Sequence, residues 1–188
     1  SLYWVLEDVM AAPRSNSREK IVAAAAEVAR EAGPGSLSLD AVALRAGVSK
    51  GGLLYNFPTK AKLMQGLVET YVTAFERDID AAVENGESLL LAFVRLSVEA
   101  CEEKEAPAAW IFSAVAEDPN FLEPVTLHRR RLLERMKAET PDAAHLLVIF
   151  FAMEGLRSMK LFDSDILTPD ERRLFVDRML AMAARPAA

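Results

Sequence analysis

The chain has 188 residues, a hydrophobic content of 52% and a formal charge of −6, which supports a sizeable core and suits one extended domain or a small domain joined to a larger one. A single cysteine, Cys101, excludes an internal disulfide, and Ser1 to Ala12 has acids where a secretory leader has bases, so a cytoplasmic protein is expected. The longest apolar run, Leu146 to Met153, falls far short of the roughly 20 residues of a membrane-spanning helix.

The acidic total conceals an uneven distribution. From Arg14 to Lys62 there are eight basic and four acidic residues, a net +4, which leaves −10 for the rest of the chain. A basic head on an acidic body fits a protein that meets a polyanion with one end only.

Few glycines and prolines, with apolar residues recurring every three or four positions, give an all-helical reading. Residues 1–13 form an N-terminal extension, either a short extra helix carrying Leu2, Val5, Leu6 and Val9 or an appended remnant. Ser17 is the expected cap of a first helix with an apolar stripe of Ile21, Ala24, Ala25, Val28 and Ala29, ending at the Gly33-Pro34-Gly35 turn. Ser38 caps a second helix from Leu39 to Ala46, with Leu39, Val42 and Ala43 inward. Gly47 stands where a helix end needs a left-handed residue, and Ser49 caps a third helix. Small Ala43 facing the Gly47 turn allows the close crossing of a helix-turn-helix.

On a wheel of about 100° per residue, the third helix places Leu53 and Phe57 inward. Gly51, Gly52 and Tyr55 then face outward, with Leu54 and Asn56 on the flanks. Two glycines in a first turn weaken a helix, and close approach of the backbone to a DNA groove is the simplest compensation. Lys50 and Lys60, with the Tyr55 hydroxyl, suit phosphates.

The remaining elements continue in order. Lys60 to about Asn85 is a long helix with Leu63, Leu67, Tyr71, Phe75 and Ile79 inward, ended by Gly86. Ser88 caps a helix to about Glu105, and Pro107 starts another over Ala108 to Glu117. Pro119 and Pro124 bracket a turn before a helix from Val125 to Glu139, which bears His128 and the run Arg129 to Arg131. Two helices close the chain, Ala143 to Phe162 and, opened by Thr168-Pro169, one reaching about Arg185. The former is apolar on every face along residues 146–153, as expected of a helix between its own core and another subunit.

The head resembles the TetR family of transcriptional regulators through Ile21-Val22, Ala24-Ala25, Ser38-Leu39, residues 46–51, Tyr55, Phe57, Lys60 and Leu63, in register and without a gap. The resemblance implies an all-α homodimer in which a helix-turn-helix DNA-binding domain, residues 14–62, is joined by a linker helix to a ligand-binding and dimerisation domain, residues 63–188. It implies a repressor that binds a palindromic operator and is released when a small hydrophobic or amphipathic effector tilts the linker helix. By position, Ser38, Tyr55 and Lys60 look like phosphate contacts. Ser49, Lys50, Gly51, Gly52, Leu54 and Asn56 lie where family members read or approach bases. Gly52, Leu54 and Asn56 depart from the commoner family residues, and Asp40 puts an acid near the expected phosphates.

The effector candidates are Phe93, Cys101, Trp110, Ser113, His128, Phe150, Met153 and Glu154, although each aromatic or Met among them also suits an ordinary core. Glu154 interrupts an apolar face, either to hold a cationic ligand or to pair with Arg157 at helical spacing. The Arg129 to Arg131 run reads as a solvated or inter-helix face rather than an anion site. The alternative to an effector is a DNA-binding regulator controlled by a partner protein or by abundance. Two His and one Cys make no metal signature, no cofactor is expected, and an enzyme is disfavoured because no catalytic spacing appears.

Overall fold

The computed structural model describes residues 17–32, 37–102, 114–116, 118–162 and 164–184. Eight helices of seven residues or more lie among the described residues, with no strand: α1 (Ser17–Ala32), α2 (Leu39–Ala46), α3 (Lys50–Asn56), α4 (Lys60–Glu84), α5 (Leu89–Glu102), α6 (Glu123–Glu139), α7 (Ala143–Leu161) and α8 (Pro169–Ala183). The N-terminal extension, the Gly-Pro-Gly turn, Trp110 and Ser113 lie outside the described residues, as does most of the helix expected over 108–117.

The chain divides into two compact units. The first holds residues up to Ala74 together with the described part of 108–126; the second holds residues 75–107, as far as described, and 127 onward. In the first unit, the α1 stripe Ile21, Ala24, Ala25, Val28 and Ala29 is buried against Val42 and Ala43 of α2, Leu53 and Phe57 of α3, and Leu63 and Leu67 of α4. The helix starts at Ser17 itself, where that residue had been expected to stand just outside as its cap. The α1–α2 pair is also braced from outside, where Arg45 donates to Glu27 and Glu31 at 3.0 Å from Nη1 and to Glu31 at 2.7 Å from Nη2.

Gly66 on α4 is buried against the Phe57 ring: a Cβ there would meet the ring edge at 2.8 Å and Val22 at 3.5 Å. Only a residue without a side chain lets the α4 backbone lie this close to the α3 terminus. A small satellite cluster of Met64, Ala114 and Phe121 completes the unit. Gln65 donates to the Asn120 carbonyl at 3.1 Å, and Lys62 pairs with Asp118 at 2.7 Å, which holds that carboxyl below its usual range.

The second unit packs α5, α6, α7 and α8 around one core. It includes Phe93 and Val94 of α5, Leu132 and Met136 of α6, Leu146, Ile149 and Met153 of α7, and Met179 of α8, with Ile79 from the end of α4. Gly86, at φ 92°, makes the left-handed turn after α4. The expected turn lies between Pro119 and Pro124, over residues 119–122, and α6 starts two residues earlier than expected, so that Pro124 falls in its first turn, where its missing N–H costs no helical bond. On α7 the apolar run splits: Leu146, Ile149, Phe150 and Met153 are buried, whereas Val148 and Phe151 remain 59% and 65% exposed.

Candidate nucleic-acid interface and effector site

The helix-turn-helix is set by local chemistry. Ser38 Oγ accepts from the Ala41 N–H at 3.1 Å and Ser49 Oγ from the Gly52 N–H at 3.0 Å, so both serines cap the helices that follow them. Between them Gly47 adopts φ 65°, and its N–H and that of Val48 close α2 onto Leu44 and Ala43. The turn therefore fixes the crossing of α2 and α3 before any ligand is present.

On α3, Leu53 is fully buried while Tyr55 is 89% exposed. Lys50 and Gly51 are also exposed, Leu54 is partly open, and Gly52 is half-buried. A Cβ on Gly51 would touch nothing closer than Ser49 Oγ at 4.0 Å, and on Gly52 the same atom at 3.3 Å. The packing of the protein itself does not require glycine at position 51. Asn56 donates one side-chain N–H to the Gly52 carbonyl at 2.9 Å, so its amide oxygen and second N–H are the groups that this bond does not use. Lys50 is engaged by Asp40 at 2.9 Å, a partner with no counterpart in the sequence reading of the site. Lys60 begins α4 and is half-buried.

Within the second unit, six of the expected effector residues, Phe93, Cys101, His128, Phe150, Met153 and Glu154, are all buried. Phe93 stacks on Phe150 with ring centroids 5.4 Å apart, and Phe75 meets Phe93 edge-on at 6.4 Å. His128 lies edge-on to Phe75 and donates from Nδ1 to Glu76 at 2.7 Å. Burial pushes the His128 pKa down, and the Glu76 carboxylate opposes the fall. Burial also pushes the Cys101 thiol up, which keeps it protonated and unreactive.

Glu154 pairs with Arg157 as its spacing suggested, Nη1 to Oε1 at 3.2 Å, and Arg129 Nε lies in ion-pair contact with Oε2 at 2.6 Å, although that buried oxygen accepts no hydrogen bond among the described residues. The Arg129 to Arg131 run is a largely exposed face with inter-helix contacts, in keeping with the solvated or inter-helix face expected. Arg129 turns to Glu154, Arg130 pairs along its own helix with Glu134, and Arg131 reaches towards Glu76 at 3.9 Å. The Arg157 guanidinium lies 4.7 Å over the Phe75 ring, and desolvation holds its pKa below the ordinary arginine value. Glu76 and Arg129 were missed because their partners are 52 and 25 positions away, on other helices, and no local spacing announces such a pair. Ser97 Oγ is fully buried without a hydrogen-bond partner among the described residues. Among the described residues no group of three His, Cys, Asp or Glu side chains is placed to hold a metal, and no helix is long and apolar enough to cross a membrane.

Comparison with known proteins bears on both units. Residues 21–67 match the model for bacterial regulatory proteins of the tetR family, and residues 87–184, just over half of the chain, match the tetracyclin repressor-like C-terminal domain. No curated protein sequence matches. Among solved structures, SCO7518 from Streptomyces coelicolor A3(2) is 19% identical with a TM-score of 0.65, the alignment covering 91% of this chain and all of that one. The multidrug binding protein EbrR, complexed with imidazole, is 20% identical at TM-score 0.65, covering 93% of this chain and 99% of its own. RolR, in complex with resorcinol, is 16% identical at TM-score 0.55, covering 92% and 95%. These likenesses concern the fold, while the two family models span the helix-turn-helix and the helical body. The chain belongs to the TetR family of transcriptional regulators.

Proposed function

We propose that the protein is a homodimeric repressor that binds a palindromic operator through α2 and α3 and is released by a small-molecule effector held in its second unit. The observation that carries the DNA reading is the outer surface of α3: an 89% exposed Tyr55 beside exposed Lys50 and Gly51, on a helix whose opposite side is anchored by a fully buried Leu53. An aromatic hydroxyl, a cation and a bare backbone on one short helix are the groups that meet phosphates and a groove floor. Ser38, Ser49, Gly52, Leu54, Asn56 and Lys60 complete the assigned contact surface.

Dimerisation is supported by the apolar side chains that α7 and α8 leave open, Val148 and Phe151 on the first and Leu174 on the second. The effector part draws on the charged and aromatic groups buried in the second unit, and the similarly folded EbrR and RolR were solved with small ring compounds. The decisive experiment is selection of genomic fragments by the purified protein. A palindromic site with half-sites about one helical turn or a multiple apart is expected. On that site, Tyr55→Phe and Lys60→Ala should weaken binding to all sequences alike, with Lys60→Ala lowering the salt slope by about one. Unchanged affinity and slope in Lys60→Ala would refute this docking.

A further inference from the structure

We infer that the effector is a planar aromatic anion of the benzoate type, its carboxylate held by Arg129 and Arg157 and its ring set against the Phe75, Phe93 and Phe150 cluster; this rests on the effector-controlled reading above. The charge arrangement selects the sign. Glu154 faces two guanidiniums, Arg129 at 2.6 Å and Arg157 at 3.2 Å, so one negative charge is shared between two positive ones. The second carboxylate of the region, Glu76, is itself engaged by His128 and approached by Arg131. A cationic ligand would be a third cation on Glu154, whose Oε2 lies in ion-pair contact with Arg129 but accepts no hydrogen bond among the described residues. An anion instead completes the pairing.

The geometry of the donors selects a carboxylate. Arg129 meets Glu154 through Nε and Arg157 through Nη1, so each guanidinium keeps N–H groups that this contact does not use. Forked planar donors of this kind match the two oxygens of a carboxylate.

The surroundings select an aromatic ring. Phe93 and Phe150 stack, Phe75 stands edge-on to Phe93, and the Arg157 guanidinium covers the Phe75 ring at 4.7 Å, which joins the charged end to the aromatic end. A further ring extends such a cluster in its preferred edge-on or offset geometry. Ser97 is the independent sign that a ligand belongs here. It sits one helical turn from both Phe93 and Cys101 on α5, fully buried, with its hydroxyl unpartnered among the described residues. Phe150 and Glu154 are likewise one turn apart on α7, and the Phe93–Phe150 stack ties the two helices at this level. A buried hydroxyl without a partner is unfavourable, and a ligand oxygen relieves it.

The test uses the purified full chain with benzoate, benzamide and benzamidine, three probes of one shape that carry negative, zero and positive charge. Thermal unfolding and release from the genomically selected operator are read together. Benzoate is expected to raise the unfolding midpoint saturably and to release the operator, benzamide to bind about tenfold more weakly, and benzamidine to do neither. Arg129→Gln should weaken benzoate about tenfold and Arg129→Lys by less, because lysine keeps the charge but loses the fork. Stronger binding of benzamidine than benzoate, equal binding of all three probes, or an unaltered benzoate affinity in Arg129→Gln would each overturn the assignment. A protein that binds its operator but ignores all three probes, or that binds benzoate without releasing DNA, overturns the ligand class and leaves DNA recognition standing. A protein that selects no DNA at all instead overturns the regulator reading itself.

Discussion

At Asp40 the head carries a carboxylate beside the cation that begins α3, with Oδ1 2.9 Å from Lys50 Nζ and both side chains largely exposed. An exposed pair of this kind adds little to stability, but it changes what Lys50 brings to a polyanion, because the couple as a whole is neutral. Asp40→Asn is expected to tighten binding to all DNA several-fold and to steepen the salt dependence by about one; titrations at three salt concentrations would check both. In the second unit, His128 faces Glu76, Arg131, Arg157 and the Phe75 ring. Its folded pKa lies below the ordinary value of 6.5, so near and below that value the unfolded chain binds the extra proton first. The contribution is present above pH 6.5 and lost as pH falls towards the depressed folded value. The unfolding midpoint should drop over that interval, and the drop should shrink in His128→Gln. The two sites differ in how far the residues alone revealed them. Ser38, Gly47 and Ser49 act on neighbours three or four positions away, so their roles are legible from spacing. The Glu76–His128 and Arg129–Glu154 pairs depend on which helices come together and cannot be read that way.

Helix boundaries follow the same division. α8 opens with a capping box in which Thr168 Oγ1 accepts from the Glu171 N–H at 3.3 Å and Glu171 accepts from the Thr168 N–H at 2.9 Å. The Thr168 N–H and, after it, the Thr168 hydroxyl, both donating to the Glu171 carboxylate, hold that carboxyl below its usual range. Thr168→Ala should therefore cost about 1 kcal/mol, measurable as a lower denaturant midpoint. The Thr168-Pro169 start was evident because a cap followed by Pro is a local signal. At Pro124 the start of α6 differs from the expected Val125 by two residues, because proline suits both the end of a turn and the first turn of a helix. On α7 an unbroken apolar run carries no periodicity, so the sequence could not say which side faces the core. The structure puts Ile149 and Phe150 inside and leaves Val148 and Phe151 open.

For the molecule as a whole, that open side of α7 is the surface that the proposed dimer covers to bring two heads together. Phe151→Glu places a charge on an apolar surface that the proposed dimer covers. It should shift the protein to monomer in sedimentation measurements and weaken operator binding roughly a hundredfold, since each head then binds without the effective concentration supplied by its twin. The uneven charge, +4 over residues 14–62 against −10 elsewhere, belongs to the same scale and directs which end approaches DNA. The all-helical fold was readable because helical periodicity runs through most segments. Which charges meet inside the second unit was not, and the proposed ligand class rests on those pairs. Gly66 has a mechanical consequence for the first unit. With Phe57 seated where a Cβ would be, turning α4 about its own axis or sliding it by one position would drive Gln65 or Leu67 into the ring. The contact works as a keyway within the first unit: the end of α3 and the start of α4 are keyed to one another against rotation.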